Sequence, residues 1–245
     1  MEKLDIEVFK PKFGEWWRYF EPLFRDTTIM EQIYSQLKSI GFSGATICPE
    51  PKNTFRAFTS VPPDKLKAIF VLLDPYPSVK AGKVVATGVA MDCSNTGELQ
   101  PSLEKFYEGI EETYCKGEMC LEMLKLPSLE YLTEQGIMFF NTALTVEKGK
   151  TGSHTELWEP FMKYFYEEVM RNFTGIPYVL CGKDSHKMEK WIDPLANFIY
   201  KIEHPSAACR QYRPWKHDSV FKKIDYILKS NTGEKINWIL EPAPF

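Results

Sequence analysis

Several things are missing from this chain, and each gap removes a class of protein. No run approaches the ~18 uninterrupted apolar residues of a membrane-spanning helix. The opening MEKLDIEVFK lacks the apolar core of a secretory signal, so a cytoplasmic protein is expected, or a nuclear one if the host has a nucleus. The six cysteines (Cys48, Cys93, Cys115, Cys120, Cys181, Cys209) include no Cys-x-x-Cys pair. Structural zinc and iron–sulfur sites normally show such tight spacing, so the thiols read as reduced and mostly buried. There is no P-loop, no dinucleotide-binding glycine pattern and no Gly-x-Ser-x-Gly elbow. Internal repeats and low-complexity runs are also absent, and the expectation is a protein without metal or cofactor.

What is present suffices for a substantial core. The 245 residues are 44% hydrophobic and 14% aromatic, which suits a folded α/β chain rather than a disordered one. We read a single domain over residues 1–245, with a helical segment over about residues 1–66 packed on an α/β core. A net charge of −3 argues against a protein that coats nucleic acid with its whole surface. The charge is uneven, however. Residues 103–134 carry eight Glu against three Lys, whereas residues 201–223 carry six Lys or Arg against Glu203 and Asp218. A face that meets a polyanion would come from the C-terminal third.

Four short apolar runs organise the middle and end of the chain: AIFVLLD (68–74), GIMFFNT (136–142), PYVLCG (177–182) and NFIYKIEHP (197–205). Helical patterns fall at about 101–114, 121–134, 157–172, 184–191 and 217–229. Helical spacing also runs through 13–40, where Thr27 or Thr28 could cap a helix ending near Gly41. The four prolines of 49–63 read as an ordered loop. Continuous apolar strands alternating with helices indicate a parallel sheet covered on both faces. The expected fold is a three-layer α/β/α sandwich around a central four-stranded parallel sheet.

The residues that end these runs carry the chemistry. The first run ends in Asp74, the second in Asn141, the third in Gly182 and the fourth in His204. In open parallel sheets ligands sit beyond the carboxyl ends of the strands, so these four could share one pocket. Each also has an ordinary reading, as helix cap, turn residue or packed imidazole. Without a nucleophilic Ser or Cys, the set suits hydrolysis by activated water. Alternatively, the aspartate stabilises a cationic transition state while the histidine steadies a departing anion, as cleavage of an N-glycosidic bond requires.

The surrounding motifs resemble those of the uracil-DNA glycosylase superfamily, family 1 in particular, with poxvirus-like details. ICPEPKNTFRAFTSVPPDKLKAIFVLLDPYP (47–77) resembles the family's proline loop and water-activating segment. QPSLEKFYEGIEE (100–112), QGIMFFNTALTVEKGKTGSHTELWEPF (135–161), CGKDSHK (181–187) and HPSAA (204–208) follow in the family's order. The resemblance implies that Asp74 orients water and stabilises the sugar cation, and that His204 holds the base O2. It makes Tyr76 a wall against C5 substituents. Asn141 reads the base edge, with the backbone at Leu73 on the same edge. Pro49, Pro51, Pro101, Ser102, Gly182, Lys183 and Ser206 would hold DNA phosphates. The target base would leave the stack.

Departures from the pattern bear on the choice of base. Leu72-Leu73 stands where the family has Gly-Gln, and Pro77 where it has His. Met91 replaces the stacking Phe. Gly88 follows Asp74 at a spacing of fourteen positions, about four more than usual, and the lengthened loop is expected to border the C5 side. Ala208 occupies the place of the leucine that fills the emptied stack, so Arg210, Gln211, Tyr212 or Arg213 would plug the duplex instead. No lysine stands where a Schiff-base nucleophile is expected, so a monofunctional enzyme acting on uracil in DNA is the main reading. The alternatives are excision of a bulky modified cytosine from phage DNA as antiviral defence, and a non-catalytic DNA-binding or scaffold protein. The tail INWILEPAPF (236–245) could serve a protein partner or strap the core.

Overall fold

The chain is described from a computed structural model over residues 5–26, 28–115 and 123–241. Four strands form the central sheet: β1 (Ala68–Leu72), β2 (Ile137–Asn141), β3 (Pro177–Cys181) and β4 (Phe198–Ile202). Their order is β2-β1-β3-β4, and every pairing is parallel. The register places Leu72 opposite Asn141 and Cys181 opposite Ile202, so the carboxyl ends are level. This is the sheet read from the apolar runs.

Alternation along the strands explains why those runs are continuous. Ile69, Val71, Met138, Phe140, Tyr178 and Leu180 face one apolar cluster. Ala68, Phe70, Leu72, Ile137, Phe139, Val179 and Cys181 face another. A strand buried on both faces has no polar side to show. The first cluster is closed by aromatic residues of α1 (Trp17–Arg25) and α4 (Thr155–Tyr164), with Met30 and Ile33 of α2 (Thr28–Phe42). The second is closed by α3 (Pro101–Tyr114), Ala208 of α5 (Pro205–Arg210) and α6 (Val220–Thr232). Each fully buried side chain such as Phe70 or Phe140 contributes about 1.5–3 kcal/mol relative to an exposed one.

Several expectations are corrected. Of the helix read over 121–134, residues 121–122 lie outside the described residues and only Glu130–Thr133 is helical. Residues before it are held as a loop: Tyr107 Oη donates to the Leu126 carbonyl, and Cys93 N–H donates to that of Pro127. The proline-rich stretch is not all loop. It contains the helix Arg56–Ser60 and single turns at Pro51–Asn53 and Pro63–Lys65, where proline leads the turn and its missing N–H costs nothing. The helix read over 157–172 continues past α4 only as a π-turn at Phe165–Val169 and a 3-10 turn. Thr27 lies outside the described residues. Cys48, Cys93, Cys181 and Cys209 are free thiols, but Cys115 is disulfide-bonded.

The tail is a strap as far as it is described. Ile236 and Trp238 are buried in the second cluster, and Asp225 accepts from the Trp238 indole N–H and the Ile236 N–H. Ile236 and Trp238 are therefore occupied by the core, Ile239 packs on it partly buried, and residues 242–245 lie outside the described residues. Among the described residues no helix is long and apolar enough to cross a membrane.

Candidate active site

The level carboxyl ends of the strands open onto one cleft. It is lined by Leu73, Asp74, Tyr76, Met91, Ser102, Asn141, Gly182, Lys183, His204, Ser206 and Arg210. These residues, all singled out from the sequence, thus come together, with Gln211 beside them. Arg213 and five other candidates do not line it. Pro49 and Pro51 border a separate depression beside α2. Pro101 is exposed at the start of α3. Ala208 is fully buried in the second apolar cluster, so its methyl faces the core and cannot touch a duplex. Tyr212 is 96% exposed just beyond α5, with φ +49°.

Asp74 stands two residues past the end of β1. Its Oδ2 accepts the Gly152 N–H at 2.5 Å. Burial pushes its pKa up to about 6; the Gly152 N–H opposes this rise and the nearby Asp184 carboxylate adds to it. His204 sits between β4 and α5, and its Nδ1 accepts the Ser206 N–H at 3.1 Å. That bond leaves the proton of the neutral ring on Nε2. Burial, aided by the positive charge of Arg210, lowers the His204 pKa to about 4. Near neutral pH the site therefore holds an anionic carboxylate and a neutral N–H donor.

Asn141 ends β2 beside Leu72. It is 5% exposed, and its Oδ1 has no hydrogen-bond partner. A buried acceptor without a partner is costly, so this one is suited to a ligand donor. The Leu73 carbonyl is taken up by Thr142 Oγ1 and the Ala143 N–H. Met91 adopts φ +62°, an uncommon conformation for a side chain of this size and a frequent mark of a functional site. Tyr76 Oη and Ser102 Oγ are 2.7 Å apart.

Two glycines permit close approaches, one at the cleft and one at the base of the Met91 loop. At Gly88, φ is +89° and a Cβ would lie 1.8 Å from the Asn53 carbonyl oxygen, so only glycine lets the Met91 loop meet the proline-rich segment. At Gly182, φ is +94° and a Cβ would come within 3.0 Å of His204 Cβ.

The lengthened loop after Tyr76 is placed differently from expectation. Val79–Lys80 and Lys83–Val84 form a hairpin that does not line the cleft; only Pro77 does. Val79, Val84 and Tyr76 pack instead on Cys48, Ala86 and Val146. The sequence reading also missed Gly152 and Asp184, although both lie inside segments it quoted. A backbone donor carries no side-chain signal, and the approach of Asp184 to Asp74 is set by the fold. It also missed the clamp behind the cleft, where Arg213 grips Glu203 with two hydrogen bonds and Trp215 Nε1 donates to the Glu203 carbonyl.

No family model matches the sequence. Among curated proteins, the chain is similar to the uracil-DNA glycosylase of Proteus mirabilis, at 30% identity over 224 residues covering 89% of this chain and 93% of that one. It is similar to that of Borreliella burgdorferi at 31% over 190 residues, covering 76% and 79%. The crystal structure of mimivirus uracil-DNA glycosylase superposes with a TM-score of 0.81 at 24% identity, covering 97% of this chain and 90% of that one. The wild-type UNG structure from Nitratifractor salsuginis gives 0.65 at 17%, covering 96% of each chain. The structures share the fold, and the curated relatives are similar in sequence along most of their length: the chain belongs to the uracil-DNA glycosylase family.

Proposed function

We propose that the protein hydrolyses the N-glycosidic bond of uracil in DNA, acting on a flipped-out nucleotide and leaving an abasic site for base-excision repair. One observation carries this reading: the buried, unpartnered Asn141 Oδ1 shares a cleft with an ionised Asp74 and a neutral His204. Asn141 would accept the uracil N3–H through Oδ1 and donate to O4 through its NH₂. As the bond to the sugar breaks, positive charge grows on the sugar and negative charge on the base. Asp74 faces the first and orients the attacking water. His204 Nε2–H meets O2 and disperses the second without itself needing to ionise. The backbone N–H of Leu73 remains to meet the same base, and Met91 supplies an adaptable apolar surface.

DNA phosphates would be held at Gly182–Lys183, at Ser206 with Arg210, and at the N-terminus of α3, where Pro101 leads and the Ser102 N–H stands in the first turn. Tyr212, exposed beside this rim, is the residue that would enter the vacated stack, a role Ala208 cannot fill. Uracil is favoured over a bulky modified cytosine because Tyr76 lines the cleft and the lengthened hairpin does not. The test is release of abasic sites from oligonucleotides carrying uracil and from phage DNAs with modified cytosines. Cleavage confined to uracil is expected. Cleavage confined to modified phage DNA would replace this reading with defence, and binding without cleavage would replace it with a scaffold.

A further inference from the structure

We propose that Ser102 is a specificity-determining positioning residue: its hydroxyl fixes the Tyr76 ring against which the C5 side of the base is measured. This rests on the reading of Tyr76 as the C5 wall and goes beyond it, since it moves Ser102 from phosphate holding to base selection. Pro75 and Pro77 restrain the backbone on either side of Tyr76, but a tyrosine ring still has two side-chain torsions to settle. Its far end is settled by one bond, Tyr76 Oη to Ser102 Oγ at 2.7 Å. Ser102 is only 7% exposed, which leaves its hydroxyl little surface to offer a phosphate.

The mounting of that serine is rigid. It lies in the first turn of α3, a helix that buries Leu103, Phe106, Tyr107 and Ile110 in the second cluster. Tyr76 also packs against the second apolar cluster and against the third, on which Val79 and Val84 of the hairpin pack as well. The ring is thus held at its tip by Ser102 and along its body by apolar packing, and it lines the cleft. Removing the tip contact releases the wall, while Met91 on the same cleft is flexible enough to accept a larger base. A phosphate-holding serine would act otherwise, weakening all DNA substrates alike.

The experiment uses the full chain in single-turnover cleavage of single-stranded oligonucleotides carrying uracil, thymine or 5-hydroxymethyluracil, over a salt series. Ser102→Ala is expected to raise the kcat/KM ratio of the 5-substituted bases to uracil by about tenfold, the scale on which a pocket senses one small group. Tyr76→Phe, which keeps the ring and removes the same bond, is expected to shift the ratio equally, and the double variant no further than either single one. An unchanged ratio with a uniform loss and a shallower salt dependence in Ser102→Ala would return the serine to phosphate holding and overturn the proposal. If Ser102→Ala does not fold, an unchanged ratio in Tyr76→Phe overturns it alone. A wild-type chain that binds DNA but cleaves none of the three bases would remove the function itself, a distinct result under which the inference also falls.

Discussion

At the scale of single residues, the site works by pushing two ordinary groups in opposite directions. The same burial raises Asp74 and lowers His204, so that each is held in the form the proposed cleavage requires. Asp74 is ionised only above its raised pKa of about 6, so the rate of base release should rise with pH through a midpoint near 6. His204 is already neutral above about 4 and adds no limb in that range. A pH profile of single-turnover cleavage checks this; a midpoint near 4 would mean that Asp74 is solvated when DNA is bound. Asp74→Asn should cost orders of magnitude in that rate while DNA binding persists. His204→Ala should lower the plateau by roughly 10²–10³, as loss of a donor to a developing anion does, and leave the midpoint where it is.

At the scale of elements, the sequence was readable where burial imposes a pattern and opaque where geometry alone decides. The four strands stood out because two-sided burial leaves uninterrupted apolar runs, and their final residues Asp74, Asn141, Gly182 and His204 marked the cleft. Helix α5 did not stand out. It has six residues and begins at Pro205, inside what read as the end of a strand. The hairpin after Tyr76 was hidden because Ala81-Gly82 turns with positive φ while its arms are two residues each. No pattern of apolar residues announces that Gly152 will donate to Asp74. Gly88 is the element-scale counterpart, a joint that admits no side chain. Gly88→Ala should destabilise the fold by about 1–3 kcal/mol, since it combines a strained φ with a backbone clash, and urea denaturation followed by tryptophan fluorescence would measure it.

At the scale of the whole molecule, the question is how a chain of net charge −3 approaches a polyanion. The cleft lining is mixed, with Lys183, Lys201, Arg210 and Lys216 beside Asp74, Asp184, Glu203 and Asp218, while α3 presents mainly glutamates. Two arginines three residues apart then have different duties. Arg210 is exposed, with Nη1 donating to Ser206 Oγ at 3.1 Å, and is free to meet a phosphate with the serine. Arg213 is spent on Glu203 and holds the segment after α5 against the end of β4. Arg210→Ala should therefore weaken DNA binding and reduce the slope of log affinity against log salt by about 1, the loss of one phosphate contact. Arg213→Ala should leave that slope in place and lower the melting temperature, because it strands Glu203 without its partner. Fluorescence anisotropy across a salt series, paired with thermal denaturation, separates the two; a salt slope that drops equally in both variants would show that the cleft rim, rather than Arg210, carries the charge that DNA meets.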